Sequence, residues 1–254
     1  MGKAETSESA IPLTGGRMTP GVVRVADTVR RPATAASPFV AELLVLYERR
    51  GFAGAPRYLG RRGGVDSFGF IPGTVPARFQ TWTGAQIAAA GALLRAMHDA
   101  SRGSALTGRH PVVCHHDPGP NNAVFREGEP VAFIDFDTAA PGSPLEDLGY
   151  LAWTWCISSK ADAPTVEAQA ARVRIAVDAY GLAGRERGAV LDAILERQMR
   201  NARFWAEIGS GQASASAIAT DQQIAERIAW SRREHRHTVV NREAFDAALN
   251  DEAR

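Results

Sequence analysis

The stretch VVCHHDPGPNNAVF, residues 112–125, sets a dense polar loop between two apolar, strand-like segments. The prolines and the glycine inside it predict a compact turn, so Asp117 and Asn122 are expected to face one pocket from its two ends. A further acid, Asp135, ends the apolar segment 131–134, which reads as the next strand. Any fold of this chain therefore has to bring three polar side chains together at neighbouring strand ends.

These three side chains offer two carboxylates and one amide oxygen, which are hard ligands of the kind that Mg²⁺ prefers. They also leave one carboxylate to accept a proton. The spacing H-x-D-x-x-x-x-N, from His115 to Asn122, is typical of the catalytic loop of phosphoryl-transferring kinases. An acid at the end of the following strand makes this interpretation considerably more specific.

Two other interpretations of the loop stay open. Asp117 could cap a turn, because aspartate and asparagine are common turn residues. A zinc site is the other alternative, with His110, Cys114, His115 and His116 as ligands. Adjacent histidines usually diverge on a strand, and no second ligand pair follows at zinc spacing, which disfavours that site.

Composition narrows the class of protein. Hydrophobic residues make up 45% and charged residues 22% of the 254 residues, which is typical of a globular chain. The net charge of +1 favours neither nucleic acid nor a membrane as partner, so a small molecule is the expected ligand. The amino terminus is polar and lacks the apolar core of a signal peptide, and Cys114 and Cys156 are the two cysteines. A cytoplasmic location with free thiols is the expectation.

The order of elements predicts an α+β, bilobal architecture with a small β-rich amino-terminal lobe and a larger, mainly helical carboxy-terminal lobe. Residues 1–10 read as a disordered lead-in, 11–74 as the first lobe and 75–254 as the second, joined through the proline- and glycine-rich segment 71–78. The first lobe should hold a helix that starts at Ser37-Pro38 and stops at Gly51. In the second lobe, helices are expected over residues 84–100, 145–157, 165–181, 186–208 and 219–235.

At three places the sequence resembles one family of small-molecule kinases, which includes the aminoglycoside phosphotransferases and choline kinase-like proteins. The segment HHDPGPNN looks like the H-G-D-x-x-x-x-N loop of that family, and AFIDFDTAAPGSPLEDLGYLAW resembles its I-D-W-(D/E)-x-A-x-x-G-x-P-x-x-D-L block. LLRAMHDAS is similar to the helix before the catalytic loop. The resemblance extends from about residue 13 to 155. It implies the bilobal protein-kinase fold, with ATP or GTP in the cleft between the lobes.

The resemblance also implies roles for individual residues. Asp117 matches the catalytic base, Asn122 and Asp135 match ligands of Mg²⁺, and Asp147 matches an acid that braces the catalytic loop. The nucleotide site is assigned to the hairpin around Gly15 and Gly16, whose backbone would approach phosphate, to Arg30 with Glu42, and to Phe70 and Pro72 beside the connection between the lobes.

Two departures from the family pattern stand out. The lysine that usually grips the α- and β-phosphates is absent, and Arg30 is taken as its nearer replacement over Arg31, although a solvated arginine pair is the alternative. Glu42 fits the spacing of the acidic partner better than Glu48 does, but it could be a solvated charge on a helix face. The other departure is His116, where relatives more often carry glycine.

The sequence thus predicts a phosphotransferase that moves the γ-phosphate of ATP or GTP to a hydroxyl of a small molecule, such as an aminoglycoside-like or other antibiotic in a resistance role. A metabolite kinase acting on an amino alcohol or sugar is one alternative, and a nucleotide-binding pseudokinase is another. The mixed charges after residue 138 disfavour a polycationic acceptor. Trp153, Trp155 and Trp205 could line an acceptor pocket or belong to the core.

Overall fold

The amino-terminal part of the chain is built around a five-stranded sheet. A computed structural model describes residues 10–13, 21–77, 80–210 and 219–250. The strands of this sheet are β1 (Ile11–Pro12), β2 (Val23–Val25), β3 (Thr28–Pro32), β4 (Tyr58–Arg62) and β5 (Val65–Gly69). They pair in the order β1-β2-β3-β5-β4, and each strand is antiparallel to its neighbours.

One helix, α1 (Ser37–Arg49), is inserted between β3 and β4. Pro38 stands in its first turn, where the missing N–H costs nothing, and Gly51 follows its end with φ +72°. The apolar residues recur at helical spacing, so one face of the helix is buried. That face consists of Val40, Leu43, Leu44 and Tyr47.

The segment after β5 is tied to the second part of the chain by a short bridge. The amide of Thr74 donates to the carbonyl oxygen of Phe125 at 2.9 Å, and the amide of Phe125 donates back at 2.7 Å. Gly73 precedes this bridge with φ +152°, and a Cβ there would lie 2.4 Å from the Phe125 carbonyl oxygen. Only glycine lets the two backbones approach this closely.

The remainder of the chain is mainly helical, with two small β-elements near its start. Strands β6 (Val112–Cys114) and β9 (Ala140–Gly142) pair with each other, as do β7 (Ala123–Arg126) and β8 (Glu129–Phe133). Three short 3₁₀ helices lie over Ala105–Thr107, Pro120–Asn122 and Phe136–Thr138. The helices are α2 (Gly84–Ser101), α3 (Pro144–Cys156), α4 (Val166–Tyr180), α5 (Arg185–Gly188), α6 (Val190–Gly209), α7 (Asp221–Val240) and α8 (Arg242–Asn250).

The tryptophans of the helical part belong to its core. Trp153 is fully buried and stacks on Trp230 at a centroid distance of 4.6 Å. Trp155 is 3% exposed, and its indole N–H donates to the carbonyl oxygen of Pro118 at 3.0 Å. Trp205 is 7% exposed beneath the guanidinium of Arg227. Of the two alternatives for Trp153, Trp155 and Trp205, the structure supports the core.

The predicted fold class is confirmed: a small antiparallel sheet with one helix precedes a larger helical part. The structure differs from the sequence prediction near the end, where α7 continues to Val240 and α8 follows it. The predicted helix 186–208 is split at Ala189 into α5 and α6. No helix in the described ranges combines the length and apolarity needed to cross a bilayer.

Candidate active site

The polar loop of residues 115–122 connects β6 to β7, and its two ends meet. The side-chain amide of Asn122 donates to Asp117 twice, to the carbonyl oxygen at 3.0 Å and to Oδ2 of the carboxylate at 2.8 Å. Asn122 is buried, whereas Asp117 is partly exposed. The structure therefore brings together the first two residues of the predicted site, as the compact loop required.

Asp147, in the first turn of α3, holds the start of this loop by hydrogen bonds to its backbone. Its Oδ2 accepts from the backbone N–H of His115 at 2.6 Å and from Nε2 of His98 at 3.0 Å, and its Oδ1 accepts from the N–H of His116 at 2.7 Å. Burial alone would raise the pKa of this fully buried carboxyl, but the hydrogen bond from His98 and the nearby histidines outweigh burial and lower it to about 2. A charged carboxylate is thus built into the base of the loop.

We expect Asp147→Asn to lower the free energy of unfolding at pH 7 by about 3 kcal/mol, because an amide cannot accept all three donors and would leave buried N–H groups unpaired. The native pKa lies below the unfolded value, so the stabilisation by Asp147 is present above about pH 4 and is lost as the pH falls towards 2. Urea unfolding at pH 7 and at lower pH measures both effects. Asp99→Asn, at an exposed ion-paired position, is the matched control and should change stability by less than about 1 kcal/mol. Equal stabilities of the two variants at pH 7 would contradict the bracing role.

A second acidic group lies after β8. Asp135 has a left-handed backbone (φ +66°) and leads into the 3₁₀ helix Phe136–Thr138, which carries Asp137. Desolvation in the cleft, and then the negative charge of Asp137, raise the pKa of Asp135 against the opposing charge of Arg31. A carboxylate whose pKa is raised by desolvation and by a neighbouring carboxylate favours a bound cation beside it.

Part of the positive charge beside these acids comes from the guanidinium group of Arg31 in β3. Its guanidinium is in close contact with the carboxylate of Asp137, lies 3.7 Å from Asp135 Oδ1 and stacks at 5.0 Å over the ring of Phe68. Arg31 is only 8% exposed, and its Nε is buried with no hydrogen-bond partner in the described part of the chain.

The structure corrects the choice of Arg30 as the replacement for the missing lysine. Arg30 is exposed and pairs across the sheet with Ser67, while Arg31 faces the acidic pair. Successive residues of a strand point to opposite faces, so only one of the two arginines can reach the site. That residue is Arg31.

The assignment of Glu42 is also corrected. Glu42 is exposed on α1 and lines a surface groove with residues 104–106, and within the described ranges no ion pair joins it to Arg30 or Arg31. The side of α1 that carries Leu43 and Tyr47 is the buried one. The acidic partner of Arg31 is therefore supplied after β8, by Asp137, and not by the helix.

The other residues assigned to the nucleotide lie near the connection between the two parts. The amide of Phe70 donates to the carbonyl oxygen of Asp27 at 2.8 Å, and the guanidinium of Arg24 lies 3.7 Å above the ring of Phe70. The carbonyl oxygen of Pro72 accepts from Arg126 at 3.3 Å. Their nucleotide contacts remain a prediction. Gly15 and Gly16 lie outside the described residues.

The donor set fits Mg²⁺. Asn122 turns its amide nitrogen towards Asp117, which leaves its Oδ1, now accepting from Asn121 at 3.1 Å, as the atom that can bind a metal ion. Asp135 adds a carboxylate whose pKa is raised by desolvation and by the negative charge of Asp137. Amide and carboxylate oxygens with room for water and phosphate are the usual ligands of Mg²⁺.

His116 has a left-handed backbone, with φ +64°. A side chain is strained in this conformation, which explains why the similar loop of the kinase family more often has glycine at this position. Here the imidazole is held in place: Nδ1 donates to the carbonyl oxygen of Thr138 at 3.0 Å, and Arg197 of α6 donates to the His116 carbonyl oxygen at 2.6 Å. The loop is thereby joined to the segment after Asp135 and to the helical part.

The four-residue zinc site considered from the sequence is not assembled. His110 is exposed, and His115 is buried against the ring of Phe136 with its Nε2 on the carbonyl oxygen of Ile134 at 3.0 Å. Cys114 and His116, in contrast, do come together, with Glu146 of α3 as the third member.

Sequence reasoning missed the contacts that Asp137 and Arg197 make at the site, and it ranked Arg31 below Arg30. Asp135 and Asp137 are two residues apart just after a predicted strand, and residues at this spacing in an extended chain point to the same side. This spacing could have predicted that the two carboxylates lie together. Arg197 lies in the arginine-rich segment of α6, and nothing local distinguishes it from its exposed neighbours.

A small sheet with one helix, followed by a larger helical part, gives the chain the fold of the protein-kinase-like phosphotransferases. Residues 102–191, which include the loop and Asp135, match the model of the phosphotransferase enzyme family. The resemblance seen in the sequence is thereby confirmed, and it supports a kinase-like enzyme.

Similar proteins extend over almost the whole chain. The trifolitoxin immunity protein of Rhizobium leguminosarum bv. trifolii is 29% identical over 263 residues, covering 93% of this chain and 97% of the relative. Among solved structures, a choline/ethanolamine kinase family protein from Mesorhizobium loti has a TM-score of 0.63 at 17% identity, covering 98% of this chain and 95% of that one. The GDP complex of aminoglycoside 2'-phosphotransferase-IIIa has a TM-score of 0.61 at 12% identity, and the match covers 91% of this chain and 93% of that one. At these identities the solved structures establish the fold.

Proposed function

We propose that this protein transfers the γ-phosphate of ATP or GTP to a hydroxyl group of a small molecule, and that it acts in the cytoplasm. The observation that carries the proposal is the joining of Asp117 to Asn122 in a loop braced by Asp147, with Asp135 after β8 lying 3.7 Å from Arg31 of β3. Each of these groups has a place in phosphoryl transfer, which depends mainly on positioning and on stabilisation of negative charge.

The roles of the residues follow from their chemistry. Asp117 accepts or orients the proton of the attacking hydroxyl, and Asn122 fixes its carboxylate by the 2.8 Å hydrogen bond. Arg31 places a permanent positive charge beside the acids and has the planar donors that match phosphate. Asn122 and Asp135 would hold Mg²⁺, which neutralises the charge of the nucleotide phosphates when bound.

We further propose that the acceptor is an antibiotic or antimicrobial molecule and that modification protects the cell. The support is the immunity protein that is 29% identical over 93% of this chain, together with solved neighbours that include aminoglycoside and macrolide phosphotransferases. A metabolite kinase is the competing function inside the same chemistry, and a pseudokinase would retain nucleotide without turnover.

Two measurements test this function. Thermal unfolding with ATP and GTP, each with and without Mg²⁺, should show Mg²⁺-dependent stabilisation by at least one nucleotide. A screen of hydroxylated acceptors should then yield a phosphorylated product detected by mass spectrometry, with aminoglycosides, macrolides, antimicrobial peptides, amino alcohols and sugars as arms. Products only from amino alcohols or sugars would favour the metabolite kinase. Stabilisation without any product or nucleotide hydrolysis would favour the pseudokinase, and the absence of both would contradict the proposal.

Arg31→Met should weaken nucleotide binding by about 10- to 100-fold, because it removes charge-assisted hydrogen bonds to phosphate that are each worth about 1.5–3 kcal/mol. Arg30→Met is the matched control, since Arg30 stands next to Arg31 on the opposite face of β3, and its affinity should stay within about twofold of the wild type. Isothermal titration with nucleotide and Mg²⁺ gives both values. Similar affinities for the two variants would exclude Arg31 as a phosphate ligand.

A further inference from the structure

Three side chains with metal-binding atoms converge on the side of the catalytic loop that faces α3. Sγ of Cys114 at the end of β6, Nε2 of His116 and a carboxylate oxygen of Glu146 all lie within 4.8 Å of one another. They come from three separate elements: a strand, the loop and the first turn of a helix. Neither the nucleotide site nor the Mg²⁺ ligands proposed above include any of them.

The histidine has the orientation expected of a ligand. Its Nδ1 faces the carbonyl oxygen of Thr138 at 3.0 Å and must therefore carry a proton, because a carbonyl oxygen only accepts. Its Nε2 is buried, lies 3.3 Å from Glu146 Oε2 and makes no hydrogen bond with the described part of the chain. A histidine that donates one ring N–H to a backbone carbonyl and directs the other nitrogen at a cation is the usual arrangement around bound metals.

The backbone of β9 packs directly against the three ligand atoms, and only glycine permits this. A Cβ on Gly142, the last residue of β9, would lie 2.9 Å from Cys114 Sγ, 2.9 Å from Glu146 Oε1 and 3.4 Å from His116 Nε2. Any side chain at this position would therefore push the three ligand atoms apart.

We propose that Cys114, His116 and Glu146 form a site for a thiophilic divalent ion of the zinc class, separate from the Mg²⁺ of phosphoryl transfer. A thiolate, an imidazole and a carboxylate are the three ligand types that Zn²⁺ binds, and three protein ligands leave a fourth position for water. The thiol now donates to the carbonyl oxygen of Ser143 at 3.2 Å, and on binding it would form a metal–sulfur bond and release its proton to solvent.

The remaining contacts of the carboxylate are compatible with this site. Glu146 Oε1 accepts from the N–H of Ser143 at 3.0 Å and Oε2 accepts from Arg200 at 2.7 Å, and each carboxylate oxygen has a further lone pair. A bound ion would join α3 and β6 to the residue that precedes Asp117. The site would thus couple zinc availability to the position of the catalytic loop.

Cobalt(II) is the probe that tests the proposal, because a cobalt–thiolate bond produces a charge-transfer absorption that oxygen and nitrogen ligands do not. Metal-free protein titrated with Co²⁺ under reducing conditions should develop this band with one ion per chain, and Zn²⁺ should displace it. Cys114→Ser should lose the band, while Cys156→Ser, at the other buried cysteine, should keep it. Absence of the band in the wild type, or its persistence in Cys114→Ser, would overturn the proposal.

A second pair of variants keeps the test decisive if Cys114→Ser does not fold. His116→Asn retains a residue that tolerates positive φ, and Glu146→Gln retains the shape of the side chain. Each should weaken Co²⁺ binding by more than about tenfold. Zn²⁺ should also raise the melting temperature of the wild type and of Cys156→Ser but not of these two variants. Unchanged Co²⁺ affinity in both variants would overturn the site even if the wild type shows a band. These readouts do not depend on phosphotransfer, so the site and the enzymatic activity can fail independently.

Discussion

Asp117→Asn should stop product formation almost completely while nucleotide affinity stays within about twofold of the wild type. Loss of a positioned general base typically costs on the order of 10²- to 10⁴-fold in rate. The substitution keeps the shape of the side chain and an oxygen that can accept the hydrogen bond now made by Asn122 at 2.8 Å. The loop, held by Asp147 and by the indole of Trp155, should keep its conformation.

Isothermal titration with nucleotide and Mg²⁺, beside product formation on the acceptor found by the screen, separates the two quantities. Asp99→Asn, an exposed acid of α2, should leave both unchanged. Undiminished turnover in Asp117→Asn would sink its assignment as the base. A parallel collapse of nucleotide affinity would place Asp117 among the ligands of the metal instead.

Asp135→Asn should abolish the Mg²⁺-dependent part of nucleotide stabilisation. A ligand at 100 times its dissociation constant adds about 2.7 kcal/mol to the free energy of unfolding. Loss of the Mg²⁺-dependent stabilisation should therefore be readily measured as a lower melting temperature. Asparagine is a better replacement than alanine, because residue 135 has φ +66° and asparagine tolerates this region. The amide removes the charge that Mg²⁺ would neutralise and leaves the backbone as it is.

Glu127→Gln is a matched control for this variant. Glu127 is an exposed acid with φ +53° in the turn between β7 and β8, at the other end of the hairpin from Asp135. Its replacement should preserve the full response to Mg²⁺. If Asp135→Asn also preserves that response, Asp135 is not a metal ligand and Asp137 becomes the next residue to test.

Much of the secondary structure could be predicted from the sequence, because the patterns that indicate it are local. The helical spacing of Val40, Leu43, Leu44 and Tyr47 predicted α1, and Ser37-Pro38 marked its start. The break between α5 and α6 and the existence of α8 were missed. Gly188, a poor helix former, was a local signal for the break, whereas α8 is held by packing, with Phe245 fully buried.

The sequence by itself determined that Asp117 and Asn122 meet in one compact loop, because they lie five residues apart and the prolines between them restrict the turn. It also identified Asp147 by resemblance, which the hydrogen bonds to His115 and His116 bear out. It could not choose between Arg30 and Arg31. The direction of a strand residue follows from the register with its neighbours, and a shift of one residue reverses both faces.

Only the tertiary structure decided which distant residues meet. Glu42 lies at a suitable spacing in the sequence, but it is on the exposed side of α1. The carboxylate that pairs with Arg31 is instead that of Asp137, more than a hundred residues away in the sequence. Cys114, His116 and Glu146 converge because β9 brings Gly142 alongside β6 and so leads α3 back to the loop. Such contacts depend on strand pairing and helix packing across the whole chain, and no local pattern encodes them.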